Sequence, residues 1–276
     1  MDERLPPDLM RIVALLEERH GVGMRGTALP RWLEQRLTRA VRALAASRGV
    51  DVAQLLAVLR VEPELVVELA NALRVGETRF YRDAAQWEAL RAAVLPGVFA
   101  RCSPQQRVTV LSAGCSTGEE AWTLGMLLAE ASARAGSGLP PRVVGVDRSE
   151  AALVTARAGV YDAAGQRQLP RELAQRFLEP SVDGSFEIVS ELRELVTFQC
   201  RDLARGLPPG RYALIVCKNV LIYFGEQAQA RLIHQLSRAL TEDGVLLVAR
   251  SEVPLVRALG VPAFEVVPGV TAFRAP

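Results

Sequence analysis

The segment SAGCSTGEE, residues 112–120, is the strongest indication of fold class in the sequence. It follows an apolar run rich in β-forming residues, RVTVLSA at 107–113, and leads into an amphipathic segment over 119–135. A small, glycine-bearing turn between a strand and a helix lets the backbone approach a ligand closely. The pattern predicts the first strand–turn–helix unit of an α/β sheet, with a ligand site at the turn around Gly114.

A second strand is predicted over 143–146, and the acid Asp147 ends it. An acid at this position can accept hydrogen bonds from ribose hydroxyls. The dinucleotide signature G-x-G-x-x-G is absent, and Glu119 and Glu120 would repel a pyrophosphate at the helix N-terminus. These residues favour a nucleoside cofactor without phosphates, such as S-adenosylmethionine. The alternative is a structural turn followed by a solvated acidic helix start, which the helix dipole also favours.

Strands and helices continue to alternate along the chain, at strands 195–200, 213–217 and 244–249 and helices 150–158 and 226–240. This alternation predicts a mostly parallel α/β sheet. A closing hairpin around Pro268-Gly269 adds antiparallel edge strands at 264–267 and 270–273. Residues 160–192 interrupt the pattern, and we interpret them as an insertion with a helix at 171–177 and a strand at 185–190.

The first 75 residues have helical periodicity, with helices predicted at 8–20, from Pro30 onward, at 51–59 and at 63–73. Gly21 and Gly23 end the first of these. We predict a helical domain over 1–75, a connection over 76–106 that contains a helix at 84–99, and the sheet domain over 107–276.

One face of the second predicted helix is rich in arginine. Its apolar stripe is Leu33, Leu37, Val41 and Leu44, and its opposite side carries Arg31, Arg36, Arg39 and Arg42. Residues 19–48 hold seven arginines and a single acid, Glu34. The face is either a solvated surface or a docking surface for an acidic partner.

Composition excludes several classes of protein. The 276 residues include 33 Lys and Arg and 31 Asp and Glu. The resulting net charge of +2 does not indicate nucleic-acid binding. No run of about 18 apolar residues and no signal peptide is present, so we expect a cytoplasmic protein that does not insert into a membrane. The four cysteines form no metal-binding pair and the two histidines lie far apart, so we expect no metal site.

Polar residues also follow two later strands, Asp202 with Leu203 after 195–200, and Lys218 with Asn219 after 213–217. Ligands bind at the carboxyl ends of strands in α/β sheets. A further polar cluster, RVGETRFYRD at 74–83, precedes the sheet.

Four blocks of the sequence closely resemble the chemotaxis receptor methyltransferases, the CheR family. They are VGETRFYRD at 75–83, SAGCSTGEE at 112–120, CKNVLIYF at 217–224 and GVLLVARSE at 244–252. ARAGVY at 156–161 fits as well. The blocks occur in the order of the family, and the resemblance extends over roughly residues 10–274.

The resemblance implies a class I methyltransferase, Rossmann-like sheet with a small β-subdomain at 160–192, preceded by an all-α receptor-recognition domain. It also implies S-adenosylmethionine-dependent transfer of methyl to glutamate side chains on the cytoplasmic helical bundle of chemoreceptors. The products are glutamate methyl esters and S-adenosylhomocysteine, and the process is chemotaxis-type signal adaptation. Two other functions stay open, a non-catalytic S-adenosylmethionine-binding signalling module and a class I methyltransferase acting on RNA or a small molecule.

Site residues carry over by motif position. The resemblance implies that the cofactor is bound by Gly76, Thr78, Arg82, Gly114, Glu120, Asp147, Asp202, Leu203, Lys218 and Asn219. Within this set, Glu120 receives the methionine amino group and Asp147 the ribose hydroxyls. The catalytic positions beside the transferred methyl are Arg82 and Tyr223, and the arginine face becomes the surface that docks the receptor.

Some positions depart from the commoner family pattern. Gly76 stands where many members have Asn, Lys218 where they have Arg, and Asp202 where they have Asn. The turn at 182–184 is short beside that of members that bind a tethering peptide at the receptor C-terminus. We therefore expect an enzyme that acts without a tether, and we expect a monomer.

Overall fold

The computed structural model describes residues 6–20, 31–72, 78–103, 105–182 and 184–275. The chain divides into two compact units. The first comprises Met1–Gly76 and Leu221–Arg231, and the second comprises Glu77–Val220 and Leu232–Pro276. Within the described ranges, no helix is long and apolar enough to cross a membrane.

Four helices build the first unit from the N-terminal part of the chain: α1 (Pro7–His20), α2 (Arg31–Ser47), α3 (Val52–Val61) and α4 (Pro63–Ala72). The predicted helices agree with these bounds within a few residues, whereas Gly21, Gly23 and Pro30 lie outside the described residues. The apolar stripe of α2 is buried, as predicted, in a core with α1, α3 and α4. A capping box begins α3, where Asp51 accepts from the Gln54 N–H at 2.7 Å and Gln54 accepts from the Asp51 N–H at 3.0 Å.

A seven-stranded sheet forms the centre of the second unit. Its strands are β1 (Thr109–Ala113), β2 (Arg142–Asp147), β6 (Val196–Cys200), β7 (Tyr212–Cys217), β8 (Leu240–Val248), β9 (Ala263–Val267) and β10 (Val270–Arg274). Their order is β6-β2-β1-β7-β8-β10-β9. All neighbours from β6 to β8 are parallel, and β10 runs antiparallel to both β8 and β9. The predicted α/β class, the parallel alternation and the closing antiparallel hairpin are therefore confirmed.

Helices lie between the strands, as the alternation predicted. They are α7 (Glu119–Ala135), α8 (Glu150–Ala158), α11 (Glu226–Ala239) and the short α12 (Val253–Ala258), which the sequence reading did not identify. The insertion holds α9 (Arg171–Phe177), α10 (Ser190–Arg193) and a small antiparallel sheet of order β3-β5-β4, with β3 (Val160–Tyr161), β4 (Leu178–Pro180) and β5 (Phe186–Ile188). The predicted strand at 185–190 is the shorter β5.

The helix predicted at 84–99 consists of three segments: α5 (Ala84–Ala89), a π-helical turn (Leu90–Val94) and α6 (Leu95–Arg101). Pro96 lies in the first turn of α6. Because proline has no N–H and its ring collides with the carbonyl four residues earlier, the preceding turn widens. The segment therefore continues to Arg101 with one local change of helical geometry.

Parallel strands end at a common edge, and this edge positions the site. Ala113, Asp147, Cys200 and Cys217 are the last residues of β1, β2, β6 and β7. The motif residues found by sequence follow directly after these strands, so the topology brings four separate loops together.

Candidate functional site

The turn after β1 is held in a conformation that needs glycine at two positions. Gly114 has φ of +85° and Gly118 has φ of +99°. A Cβ atom on Gly114 would lie 2.4 Å from Cγ2 of Val220. The Gly114 and Cys115 N–H groups donate to the Val146 carbonyl at 2.8 and 2.9 Å, so the turn packs against the end of β2.

Asp147 ties this turn to the one after β2. One carboxylate oxygen accepts from the Ser116 N–H at 2.9 Å, and the other accepts from the Ser149 N–H at 2.8 Å. The residue is 2% exposed. A carboxylate accepts hydrogen bonds through both of its oxygens. Asp147 thus has a structural role at the end of β2, and its contact with ribose hydroxyls stays a prediction.

Glu120 lies in the first turn of α7 and accepts a hydrogen bond from the Ser112 hydroxyl at 2.8 Å. Desolvation raises the pKa of Glu120 to about 7, although the positive charges of Lys218 and Arg82 act in the opposite direction. A further cation that binds beside a desolvated carboxyl group stabilises its ionised form, so binding of the cation is favourable. The site therefore suits a ligand that carries an ammonium group.

The neighbouring acid Glu119 belongs to a different polar cluster. Its carboxylate accepts from the Thr117 hydroxyl at 2.7 Å, and the Thr78 hydroxyl is a second hydrogen-bond partner. The Tyr161 hydroxyl donates to the Thr117 carbonyl at 2.7 Å. Burial raises the pKa of Glu119. Thr78 is therefore engaged with Glu119, and its contact with a cofactor stays a prediction.

Arg82 lies in a loop with unusual backbone geometry. Tyr81 and Asp83, on either side of it, have φ of 59° and 64°. The Arg82 carbonyl accepts two hydrogen bonds, from Trp87 Nε1 at 2.7 Å and from Lys218 Nζ at 2.8 Å. The loop is therefore fixed by side chains from two other parts of the second unit.

The turn after β7 is clamped by a buried acid. Glu252, 3% exposed, accepts from the N–H groups of Asn219, Val220 and Ala249, each at 3.0 Å. Asn219 has φ of 58°, which asparagine tolerates better than most residues. Sequence reasoning did not single out Glu252, although the acid ends the block at 244–252.

The turn after β6 carries the remaining predicted cofactor residues. Asp202 is partly exposed and accepts from the Ala204 N–H at 2.9 Å, and Leu203 is buried. The Arg201 N–H donates to the Asp147 carbonyl at 2.9 Å, which joins this turn to the end of β2.

The residues at the carboxyl edge of the sheet fit S-adenosylmethionine. Glu120 favours a cationic group, Asp147 places a carboxylate at the end of β2, and Gly114 has the positive φ of a tight turn that brings the backbone close. Among the residues described by the structure, no group of three or more His, Cys, Asp or Glu could hold a metal ion.

Comparison with known proteins agrees with this geometry. The family model described as "CheR methyltransferase, SAM binding domain" matches residues 76–257. The chain belongs to the CheR methyltransferase family. The resemblance seen in the four sequence blocks is thereby confirmed, and S-adenosylmethionine-dependent methylation in chemotaxis-type adaptation is the activity of this family.

Two relatives and one solved structure show the extent of the similarity. A chemotaxis protein methyltransferase of Vibrio parahaemolyticus is 31% identical over 192 residues, 68% of this chain and 69% of that protein. An uncharacterised 104.1 kDa protein of Rhodobacter capsulatus is 29% identical over 214 residues; these cover 78% of this chain but only 22% of that protein. The solved CcbJ methyltransferase of Streptomyces caelestis is 22% identical over 56% of this chain and 50% of its own, with a TM-score of 0.33.

For two predicted site residues of this CheR methyltransferase, the position relative to the cofactor residues stays a prediction. Tyr223 ends a 3-10 turn, Leu221–Tyr223, which belongs to the first unit, and it is partly buried. Gly76 lies outside the described residues. The pairing of Tyr223 with Arg82 and the role of Gly76 stay predictions.

The arginine face of α2 is only partly available for docking. Nε of Arg36 donates to the Ala72 carbonyl at 2.7 Å, so this arginine caps the end of α4. Arg39 and Arg42 are exposed, and the side chain of Arg31 lies outside the described residues.

Lys218 was predicted to contact the cofactor. In the structure its ammonium group donates a hydrogen bond to the Arg82 carbonyl.

Proposed function

We propose that this CheR methyltransferase forms methyl esters on glutamate side chains of chemoreceptor cytoplasmic helices. The observation that supports the proposal most is the position of Arg82: its backbone carbonyl accepts two hydrogen bonds, and its positive charge acts to lower the pKa of Glu120. A carboxylate-binding cation therefore lies near the acid that would bind the cationic cofactor.

The cofactor would be held by the carboxyl edge of the sheet. Glu120 would accept from the ammonium group and Asp147 from the ribose hydroxyls. Asp202, Leu203 and Asn219 would surround the rest of the nucleoside. S-adenosylmethionine, when bound, supplies an activated methyl group on a cationic sulfur.

The acceptor glutamate needs no general base, since a free glutamate side chain has a pKa of about 4.3 and is ionised at neutral pH. The remaining requirements are orientation and removal of water, which contribute up to roughly 7–11 kcal/mol when alignment is good. Arg82 would bind the substrate carboxylate through its planar fork, and Tyr223 would donate a further hydrogen bond. The arginine must bind the transition state more tightly than the ground state, because equal stabilisation of both would leave the barrier unchanged.

Receptor docking is assigned to residues 1–75, which include helices α1 to α4. The exposed Arg39 and Arg42 would face acidic receptor helices, and Arg36, whose Nε caps α4, would add its charge to this surface. We further propose a monomeric cytoplasmic enzyme that acts without a receptor tether peptide.

The test is transfer of labelled methyl from S-adenosylmethionine to cytoplasmic receptor fragments, followed by base treatment. Glutamate methyl esters release methanol in base, whereas N-methyl and C-methyl groups do not. We expect base-labile label that falls by orders of magnitude in Arg82→Ala and persists in Arg142→Ala, whose exposed side chain begins β2 at the opposite edge. Base-stable label would show another substrate, and binding without transfer would show a non-catalytic module.

A further inference from the structure

Lys218 is the only lysine of the chain, and its side chain is buried directly after β7. The side chain is 2% exposed, although lysine side chains are rarely fully buried unless they are paired. A buried ammonium group destabilises a protein unless it is paired and hydrogen-bonded. The partners of Lys218 therefore indicate why a cation is kept there.

Three of those partners belong to one short segment. The ammonium group donates to the Arg82 carbonyl at 2.8 Å and pairs with Asp83 Oδ2 at 3.1 Å. It also lies 4.8 Å from the centre of the Trp87 ring, a cation–π distance. Lys218 thus contacts the backbone, the flanking acid and the supporting aromatic of the Arg82 loop.

The loop needs such support because its backbone is strained. Tyr81 and Asp83 both have positive φ, a conformation that is unfavourable for residues with a side chain and persists only where surrounding contacts impose it. The Arg82 carbonyl between them accepts from Lys218 and from Trp87 Nε1. These two hydrogen bonds fix the orientation of the peptide bond between Arg82 and Asp83.

The backbone that carries Lys218 is itself held by hydrogen bonds. The N–H groups of Asn219 and Val220, which follow Lys218, both donate to the buried carboxylate of Glu252. The side chain of Lys218 therefore extends from a hydrogen-bonded turn to the strained backbone of residues 81–83. Loss of its ammonium group would remove a hydrogen bond from that backbone, whereas the turn after β7 would keep its own hydrogen bonds to Glu252.

We propose that Lys218 is a positioning residue, which sets the backbone of residues 81–83 and thereby the direction of the Arg82 side chain. Its relevance to catalysis rests on the proposed function, in which Arg82 binds the substrate carboxylate. Its effect on the loop does not depend on that function. The ammonium group acts through the loop, in place of the direct contact with the cofactor that the resemblance implied.

The first test is amide hydrogen exchange on the full chain. Lys218→Met keeps an unbranched apolar stem and removes the charge and the donors. We expect peptides covering 79–84 to exchange at least tenfold faster in Lys218→Met than in the native protein, with the strand peptides of β1 and β7 unchanged. Arg142→Met, which removes an exposed cation at the opposite edge, should leave 79–84 unchanged. Equal protection of 79–84 in Lys218→Met and the native protein would overturn the proposal.

Kinetics then separate positioning from cofactor binding. We expect Lys218→Met to lower kcat at least tenfold at saturating substrates with KM for S-adenosylmethionine changed less than threefold, and Lys218→Arg to recover part of kcat. A loss confined to KM for S-adenosylmethionine would show a direct cofactor ligand and overturn the proposal. If the native protein transfers no methyl, the proposed function fails, while the exchange experiment still decides the role of Lys218.

A measurement on the native protein covers the case in which Lys218→Met does not fold. Isotope-labelled lysine introduces a single side-chain ammonium signal, because the chain has one lysine. Buried, hydrogen-bonded ammonium protons should exchange with water at least tenfold more slowly than those of free lysine, and Asp83→Asn should shift the signal. Exchange as fast as in free lysine would overturn the proposal.

Discussion

The hydroxyl of Ser112 donates a hydrogen bond to Oε1 of Glu120 at 2.8 Å, which joins β1 to the first turn of α7. This single neutral donor does not replace the water that the carboxyl loses, so desolvation still raises the pKa of Glu120 to about 7. The ionisation of Glu120 therefore changes within the physiological range of pH.

Ligand affinity should depend on that ionisation. An ammonium-bearing ligand binds the ionised carboxyl, so the apparent Kd of S-adenosylhomocysteine should rise nearly tenfold for each pH unit below about 7 and level off above pH 8. Calorimetry in buffers of different ionisation enthalpy should show about one proton released on binding at pH 6. Glu120→Gln should bind more weakly and without this pH dependence, whereas Glu242→Gln, an exposed control on β8, should behave as the native protein. A native Kd that is constant from pH 6 to 8 would contradict the assignment.

The same group predicts how the stability of the unliganded protein depends on pH. The pKa of Glu120 is higher in the folded state than in the unfolded state, so the folded state binds more protons between pH 4.5 and 7 and loses stability as pH rises. Glutamine keeps an acceptor for Ser112 and carries no charge. Glu120→Gln should therefore raise the free energy of unfolding at pH 8 by up to about 3 kcal/mol, and the gain should vanish near pH 4.5. Urea titrations at both pH values measure the difference, and a gain of equal size at pH 4.5 would rule out this origin.

Glu252 should be among the most important polar residues for stability. Its removal leaves three backbone N–H groups without their acceptor at the ends of β7 and β8. Glu252→Ala should lower the free energy of unfolding by about 3–5 kcal/mol in urea titrations. The exposed Glu242→Ala should change it by less than about 0.5 kcal/mol. A small effect of Glu252→Ala would show that water replaces the carboxylate.

Gly114 allows strain and collision to be measured separately. Gly114 and Gly269 have nearly equal positive φ, +85° and +80°, but only Gly114 has an atom within 4 Å of an added Cβ. Gly269→Ala should cost about 1 kcal/mol from backbone strain alone. Gly114→Ala should cost about 1–3 kcal/mol more, because the new methyl group overlaps Val220. A double-mutant cycle with Val220→Ala should recover part of the difference, and strict additivity would contradict the proposed collision.

The exposed arginines of α2 should affect receptor binding and leave the chemical step intact. The double variant Arg39→Glu and Arg42→Glu should raise KM for a receptor fragment at least tenfold with kcat changed less than twofold. The increase in KM should shrink at high salt, because surface charges are screened. Arg171→Glu, an exposed charge reversal in α9, is the matched control. Arg36 is unsuitable for this test because it also caps α4.

The elements that sequence predicted well are those in which many residues repeat one pattern. The helix predicted at 119–135 coincides with α7, and the strand ending at Asp147 coincides with β2 to one residue at its start. The strands β3 and β4 have two and three residues, too few to show an alternation, and their pairing with β5 depends on contacts distant in sequence.

The sequence indicated which residues follow the strands and therefore form the site. It did not indicate the hydrogen bonds and ion pairs between those residues. Gly114 indicates a turn because it lies between a predicted strand and a predicted helix, but the positive φ of Tyr81 and Ser116 has no compositional signal. Burial of the Lys218 ammonium group was hidden for the same reason, since a lysine after a strand is normally solvated. These features arise only when distant segments pack together.

The division of the chain has a consequence for the order in which its parts can fold. The first unit includes Leu221–Arg231 as well as the N-terminal helices, so one of its own segments is synthesised only after the whole stretch from Glu77 to Val220. At ~5–20 residues per second, the helices emerge on the order of 10 s before that segment. A fragment ending at Gly76 would lack the segment permanently, so its lifetime against proteolysis would report how much the late-arriving residues protect the helices.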